Sequence, residues 1–348
     1  MTDEPSSLGQ QAAELMWHTR HTWRQVYASF PDCKPAKVRM AARRWKQSHP
    51  DEFDILPLPE CTSVGVTPGD YLPDEDEVYE RACTEYERGE NLARLKSNQR
   101  LSFSHGPIAL VFMADQHFGA PGVDYPRAFA EAEIVAETPG MYCGTVGDMV
   151  DNAIIGRILR EQMNHRLNIV DQWALLRRYL RILLPKQKIS VGGNHDYWTS
   201  ALSGIDYFRD VLENITPGVL YDGDDSHFAL QIGQSEWSVR MRHKWRGSSI
   251  YNPTHGIERA AKWDQDFEIG VGAHNHTDGV VRFFSIGSLE GVAVQCGTYK
   301  VVDSYARRGG FPKSGRSAAA GLLFTETPRA VTGFTNLEVL RDVLDRVY

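Results

Sequence analysis

Residues 108–119 read Ile-Ala-Leu-Val-Phe-Met-Ala-Asp-Gln-His-Phe-Gly, an unbroken apolar run that ends in Asp115, His117 and a glycine. A short run with no polar interruption is a strand buried on both faces, and such a strand needs a covering layer on each side. The same phrase recurs downstream. Met141 to Val146 runs into Gly147-Asp148-Met-Val-Asp151-Asn152, and Lys188 to Val191 into Gly192-Gly193-Asn194-His195-Asp196. Trp237 to Arg242 runs into His243, and Phe267 to Val271 into Gly272-Ala273-His274-Asn275-His276. Buried strands that deliver polar residues at their carboxyl ends build the active sites of layered α/β domains. Helical patterns are predicted between them at 126–137, 153–184 (one long helix or a pair) and 205–214, with a closing helix at 337–348. The segments VVRFFSIG, GVAVQCGTY and AAGLLFTE alternate like further strands.

Upstream the texture differs. Between residues 11 and 50 the basic side chains Arg20, Arg24, Lys34, Lys37, Arg39, Arg43, Arg44 and Lys46 face only Glu14 and Asp32. From 51 to 90 the balance reverses, with Asp74-Glu75-Asp76-Glu77 as the densest run. Periodicity predicts helical structure over 8–29 and a helix over 35–48, broken by Phe30-Pro31-Asp32 and stopped by His49-Pro50-Asp51. Short helices around a turn, with a basic second helix (KPAKVRMAARRWK), fit a helix-turn-helix DNA reader. They equally fit a helical element that docks on a protein partner or mediates oligomerisation. Residues 54–71 are rich in Pro and Gly and read as an extended connector; 74–95 reads as an acidic, solvated helix. The expected organisation is therefore a small basic helical domain (1–52), an acidic linker with a helix (53–106) and a catalytic domain (107–348).

Composition sets outer limits. The 348 residues are 42% hydrophobic and 24% charged, which excludes disorder, collagen-like repeats and coiled coil as the dominant state. A net charge of -7 excludes a bulk polycation, so any nucleic-acid contact must be local. Five scattered cysteines without a C-x-x-C pair suggest neither a disulfide framework nor a thiolate metal site. The opening residues carry no secretory pattern and no apolar run spans a bilayer, so a cytoplasmic protein without membrane contact is expected.

The loop residues themselves point to chemistry. Asp115, His117, Asp148, Asn194, His243, His274 and His276 are oxygen and nitrogen donors, and two metal ions sharing Asp148 would use all seven. Such donors suit Mn above all, with Fe, Zn or Mg as alternatives. His227 and His255 also lie between the third and last motifs, but the position directly after an apolar strand favours His243. Tyr197 and Trp198 read as loop packing or as stacking platforms for a base. Arg240, Arg242, Lys244 and Arg246 read as phosphate contacts or as a basic strand edge.

Taken in order, Asp115-x-His117, Gly147-Asp148-x-x-Asp151, Gly193-Asn194-His195-Asp196, His243 and Ala273-His274-x-His276 resemble the motifs of the calcineurin-like metallophosphoesterases. The resemblance covers about 107–277 and departs at Ala273, where the family usually has Gly. It implies a layered αββα sandwich within the α/β (α+β) class. It implies one ion on Asp115, His117, Asp148 and His276, and another on Asp148, Asn194, His243 and His274. Two such ions would generate a bridging hydroxide and clamp the phosphoryl oxygens. The same resemblance makes His195 the general acid, with Asp151 orienting its imidazole and favouring the charged form.

Asn152-Ala153 stands where protein phosphatases of the family have Arg-Gly, and Asp196 where they have Glu. The first and third motifs are more similar to the SbcCD-type DNA-repair nuclease branch, although that branch often has His at the position of Asp151. The leading expectation is a Mn-dependent nuclease or phosphodiesterase acting on DNA, with Arg242, Lys244, Arg246 and Tyr197 as substrate contacts and residues 11–50 as the DNA-binding part. The alternatives are a phosphatase or phosphodiesterase for nucleotides, other small molecules or phosphoproteins, and an inactive DNA-binding scaffold.

Overall fold

The computed structural model describes residues 7–19, 21–49, 51, 74–97, 99–154, 167–247, 249, 251–301 and 317–348. The chain divides into two compact units, residues 1–84 and 85–348.

The described residues of the first unit are helical, and its last helix runs on past the division at residue 84. Ser7 caps α1 (Leu8–Ala13), a wider π-type turn follows over Glu14–His18, and α2 (Trp23–Ala28) opens with a capping box between Thr22 and Gln25. The helical stretch expected over 8–29 is thus broken in two, because Thr22 satisfies more backbone groups as a cap than it would in a helix interior. α3 (Pro35–Ser48) matches its expected span and starts with proline, whose missing N–H costs nothing in a first turn. Ala12, Ala13, Val26, Val38 and Ala42 are fully buried beneath Trp17, Trp23, Tyr27 and Trp45. The helices approach closely: a Cβ on Gly9 would lie 2.9 Å from the Ala41 carbonyl oxygen. α4 (Glu75–Ser97) begins with Glu75, Asp76 and Glu77, charges that favour the positive end of the helix dipole. The expected Pro/Gly-rich connector lies outside the described residues.

The second unit is built on two six-stranded sheets. One runs β12 (Ala330–Phe334), β11 (Ala320–Thr325), β2 (Ile108–Met113), β3 (Met141–Val146), β4 (Gln187–Val191) and β5 (Leu220–Asp222), with β2 to β5 mutually parallel. The other runs β1 (Gln99–Phe103), β6 (Asp225–Ile232), β7 (Ser235–Arg242), β8 (Ile269–Gly272), β10 (Leu289–Gln295) and β9 (Val280–Ile286). Leu110, Phe112, Val146 and Ile189 from the first sheet meet Phe228, Leu230, Val239, Met241 and Val271 from the second in one apolar layer. Helices α5 (Tyr125–Glu137), α6 (Ile169–Leu183), α8 (Tyr207–Ile215) and α10 (Leu337–Leu344) cover the outer face of the first sheet through Met113, Met141, Trp173, Leu176, Phe208 and Leu340. α9 (His255–Asp264) covers the other sheet through Ile257 and Ala261, packed with Trp245 and Phe267. The order helix, sheet, sheet, helix is the expected sandwich of the α/β class.

The elements that sequence patterning did not predict are β1, β5, β6, β12, α9 and α7 (Asn194–Ser203). β6 buries only alternate residues and β1 half-buries them, so polar side chains interrupt their apolar pattern. β1 pairs in parallel with β6 and lies ahead of residue 107, so the sheet begins before the expected domain start. Residues 155–166, within the predicted helix or helix pair at 153–184, lie outside the described residues. No helix among the described residues is long and apolar enough to cross a membrane.

Candidate metal centre

Every site loop leaves the carboxyl end of a strand. Asp115 and His117 follow β2, Asp148 and Asp151 follow β3, Asn194 and His195 open α7 after β4, His243 follows β7, and His274 and His276 follow β8. Main-chain bonds stitch the loops together: Asp115 N–H donates to Gly147 O (3.0 Å), His117 N–H to Asp148 O (3.0 Å), and Ala273 N–H to His243 O (3.0 Å). Asp115, His117, Asp148, His274 and His276 all have φ between 46° and 74°. Left-handed backbone at five non-glycine residues is costly and persists only where the surroundings over-determine it, which is characteristic of functional sites. Ala273 is not among these residues. Its Cβ therefore adds no strain where related motifs carry glycine.

Asp196 locks two of these loops. Its buried carboxylate accepts hydrogen bonds from the amides of Asp148 (2.7 Å), Met149 (3.1 Å) and Gly193 (3.0 Å). The loops come so close that a Cβ on Gly193 would stand 2.2 Å from Asp148 N. Asp148 Oδ1 accepts from the His195 amide at 2.8 Å, which leaves Oδ2 for the interior of the site.

Two groups of donors converge around that oxygen. Asp148 Oδ2 is 3.0 Å from His243 Nε2, itself 3.2 Å from His274 Nδ1. On the other side it is 3.8 Å from His117 Nε2, which sits 2.9 Å from His276 Nε2. Asp115 Oδ1 lies 3.7 Å from His117 Nε2 and 3.5 Å from His276 Nε2. The sets Asp115–His117–His276 and Asp148–His243–His274 each bring their ligand atoms within 4.8 Å of one another. All seven sequence-predicted metal ligands lie on these adjoining loops.

The chemistry of the donors fits divalent cations. His117 Nδ1 bonds Asp151 Oδ1 (2.9 Å) and His243 Nδ1 bonds the Val146 carbonyl (2.7 Å). In each ring Nδ1 donates outward to an oxygen and Nε2 faces inward, where its lone pair is offered once a cation displaces the proton there, the usual arrangement of a metal-binding histidine. Asp115 Oδ1 and Asn194 Oδ1 are buried and accept no hydrogen bond among the described residues, while Asp115 Oδ2 takes the His274 amide (2.9 Å). Uncompensated oxygens beside inward-facing imidazole lone pairs are stable only with positive charge between them. The local field has the matching sign. Burial disfavours a charged His243, but the charge and hydrogen bond of Asp148 outweigh it and lift the imidazole to about 10. His117 rises to about 9 against the same burial penalty, through Asp115, Asp151 and Asp148. Burial would raise Asp115 and Asp148, yet the surrounding histidines hold both carboxyls below the ordinary range. A site that draws protons onto imidazoles this strongly draws metal cations by the same attraction.

His195 and Asp151 differ from expectation. His195 Nδ1 bonds the main-chain carbonyl of Asp151, and its ring packs against Trp198, centroids 3.9 Å apart and planes tilted by 38°. The Asp151 carboxylate instead bonds His117, with buried Lys300 Nζ 3.4 Å away. Asp151 thus holds His195 through its backbone and orients His117 with its side chain. Burial, reinforced by the His117 charge, pushes His195 down to about 4, so the environment favours its neutral form. The carbonyl contact turns Nε2 towards the centre, 3.9 Å from Asp148 Oδ2.

The residues expected to contact substrate stand in different settings. Arg242 forms an ion pair with Asp225 and lies 5.4 Å over the Trp245 ring, so its charge is engaged at the end of β7. Arg240 is held by Asp225, Asp264 and Asp266. Lys244 is exposed and close enough to His274 to reinforce, after burial and His243, the lowering of that ring to about 4. Arg246 and Tyr197 are exposed. Trp198 packs on His195, one of the two readings the sequence offered, whereas the contacts of Asp196 and Lys300 were not foreseen from the sequence. Lys300 had a visible signal, since it follows a buried strand at the same end of its sheet as the site loops.

No protein-family model matches the chain, and no curated protein matches it significantly in sequence. Among solved structures it is similar to a putative 5'-nucleotidase from Staphylococcus aureus in complex with alpha-ketoglutarate, at 12% identity and a TM-score of 0.38, over 69% of this chain and 58% of that one. Vacuolar protein sorting 29 from Cryptosporidium parvum is similar at 15% identity and a TM-score of 0.34, over 66% of this chain and 99% of that one. Nuclease MPE from Pseudomonas putida is similar at 11% identity and a TM-score of 0.28, over 65% and 87%. These neighbours are calcineurin-like metallophosphoesterases.

Proposed function

We propose that the chain is a phosphoesterase with two divalent cations, Mn favoured, that hydrolyses phosphodiester bonds in DNA. The observation that carries the two-cation part of this reading is the position of Asp148 Oδ2, which has His243 on one side and His117 on the other, each with further donors behind it; the excess of eight Lys and Arg over two acidic residues at 11–50 supports DNA as the substrate. Asp115, His117, Asp148 and His276 would hold one ion, and Asp148, Asn194, His243 and His274 the other. Bound there, the ions supply Lewis acidity to the phosphoryl oxygens and lower the pKa of an attacking water.

The remaining steps fall to side chains. Asp151 fixes the His117 ring, Asp196 fixes the spacing of the loops that carry Asp148 and Asn194, and His195 serves the leaving group. With Nδ1 on the Asp151 carbonyl, His195 directs Nε2 into the site. An anionic phosphodiester beside the ring favours the imidazolium that burial disfavours, and that imidazolium gives its Nε2 proton to the departing alkoxide.

Cleavage of end-labelled single- and double-stranded DNA with Mn, alongside bis(p-nitrophenyl) phosphate and a phosphomonoester, tests the proposal, with Asp148→Asn as the blank. DNA and diester cleavage that vanish in the variant are expected. Turnover of the monoester alone with intact DNA would replace DNA by a small-molecule substrate, and DNA cleavage that survives in Asp148→Asn would overturn the assignment of the centre.

A further inference from the structure

Among the described residues, the helical unit within 1–84 closes its core with the inner faces of its helices and leaves one face of α3 uncovered. Val38 and Ala42 point into the core, whereas Ala36, Lys37, Met40, Arg43, Arg44 and Gln47 form an exposed stripe on the other side. Met40 is 57% exposed, although nothing in the fold of this unit requires an apolar residue there. Around it the charge is one-sided. The chain carries a net charge of -7, yet residues 11–50 hold eight Lys and Arg against two acidic residues.

The cations of α3 fall into two sets. Arg39 lies 5.4 Å over the Trp23 ring and Lys46 lies 4.5 Å over the Trp17 ring, so both lean on the aromatic wall of the core. Lys37, Arg43 and Arg44, together with Lys34 at the helix start, make no ion pair among the described residues. The first turn of α3 contains no acidic residue, and Lys34 gives no side-chain cap to its amides. The helix therefore presents a positive amino end, a row of uncompensated cations and a narrow apolar-to-amide strip between them. A polyanion with a groove wide enough for a helix complements all three, and the major groove of B-form DNA is about 12 Å wide.

We propose that this face of α3 docks in the major groove of duplex DNA, with Lys37, Arg43 and Arg44 on phosphates or base edges and the Ala36–Met40–Gln47 strip over the bases. The proposal deepens the DNA-directed reading of the catalytic unit, and binding without turnover separates the two. The test is fluorescence anisotropy of a labelled 25-base-pair duplex with the full chain in EDTA, at several salt concentrations. The triple variant Lys37→Gln/Arg43→Gln/Arg44→Gln is expected to bind at least tenfold more weakly, with a salt slope shallower by about two to three, roughly one per lost phosphate contact. Met40→Glu, which removes no cation and no core atom, is expected to weaken binding as well. Both variants should retain the parent's Mn-dependent turnover of bis(p-nitrophenyl) phosphate, which reports separately on the catalytic unit. Unchanged duplex affinity in the two variants overturns the proposal. So does equal affinity for an RNA duplex of the same sequence, whose deep, narrow major groove does not admit a helix.

Discussion

Asp148 carries two duties on one carboxylate: Oδ1 anchors the His195 amide and Oδ2 faces both donor sets. Asp148→Asn is expected to lower diester turnover at least about a thousandfold, since metal polarisation supplies several kcal/mol. On the proposed mechanism His195→Ala removes only the proton donor, and kcat should fall by roughly 10²–10⁴ while Mn binding persists, which steady-state kinetics and a metal titration together distinguish. Asp196 touches no substrate in this account. Its carboxylate accepts three amides, and Asp196→Asn turns an N–H₂ towards at least one of them, at a cost of about 1–3 kcal/mol measurable by urea denaturation. The side chains that converge around Asp148 Oδ2 were legible as candidates in the sequence because each stands on a loop that follows an apolar strand. The partner of Asp151 was not legible: proximity in sequence to Asp148 says nothing about which imidazole its carboxylate meets, and only the folded loops bring it to His117.

At the scale of elements, the β6–β7 pair and α9 share a charged junction in which Arg240 and Arg242 embrace Asp225. Burial works against the Asp225 carboxylate, but the two guanidinium groups outweigh it and hold the group at about 2, below the ordinary 3.8. A depressed carboxyl pKa stabilises the fold above the unfolded value, and the contribution is lost as pH falls through the folded one. Thermal melting of the parent should therefore fall more steeply between about pH 4 and pH 2 than that of Asp225→Asn. This junction also explains why Arg240 and Arg242 read ambiguously in the sequence, since their acidic partners Asp225, Asp264 and Asp266 come from a neighbouring strand and from the end of α9. The strands buried on both faces, β2 and β3, declared themselves by uninterrupted apolar runs. β1 and β6 did not, because half of their residues face outward.

Across the whole molecule, a sandwich of two sheets places loops from both sheets at one end, so the centre forms only when the sheets are packed through Phe112, Val146, Met241 and Val271. Folding and metal binding are then coupled: buried Asp115 and Asp148 need cations, and ions held at about a hundred times their dissociation constant would add roughly 2.7 kcal/mol. Excess EDTA should lower the melting temperature of the metal-loaded protein by roughly 5–10 °C for a unit of this size, read by differential scanning calorimetry. The most direct measurement is the Mn stoichiometry of the metal-stripped protein by isothermal titration calorimetry, for the parent and for Asp148→Asn. Two ions per chain in the parent and at most one in the variant are predicted. A single ion or none in the parent, or two ions retained in Asp148→Asn, would contradict a centre built around that carboxylate.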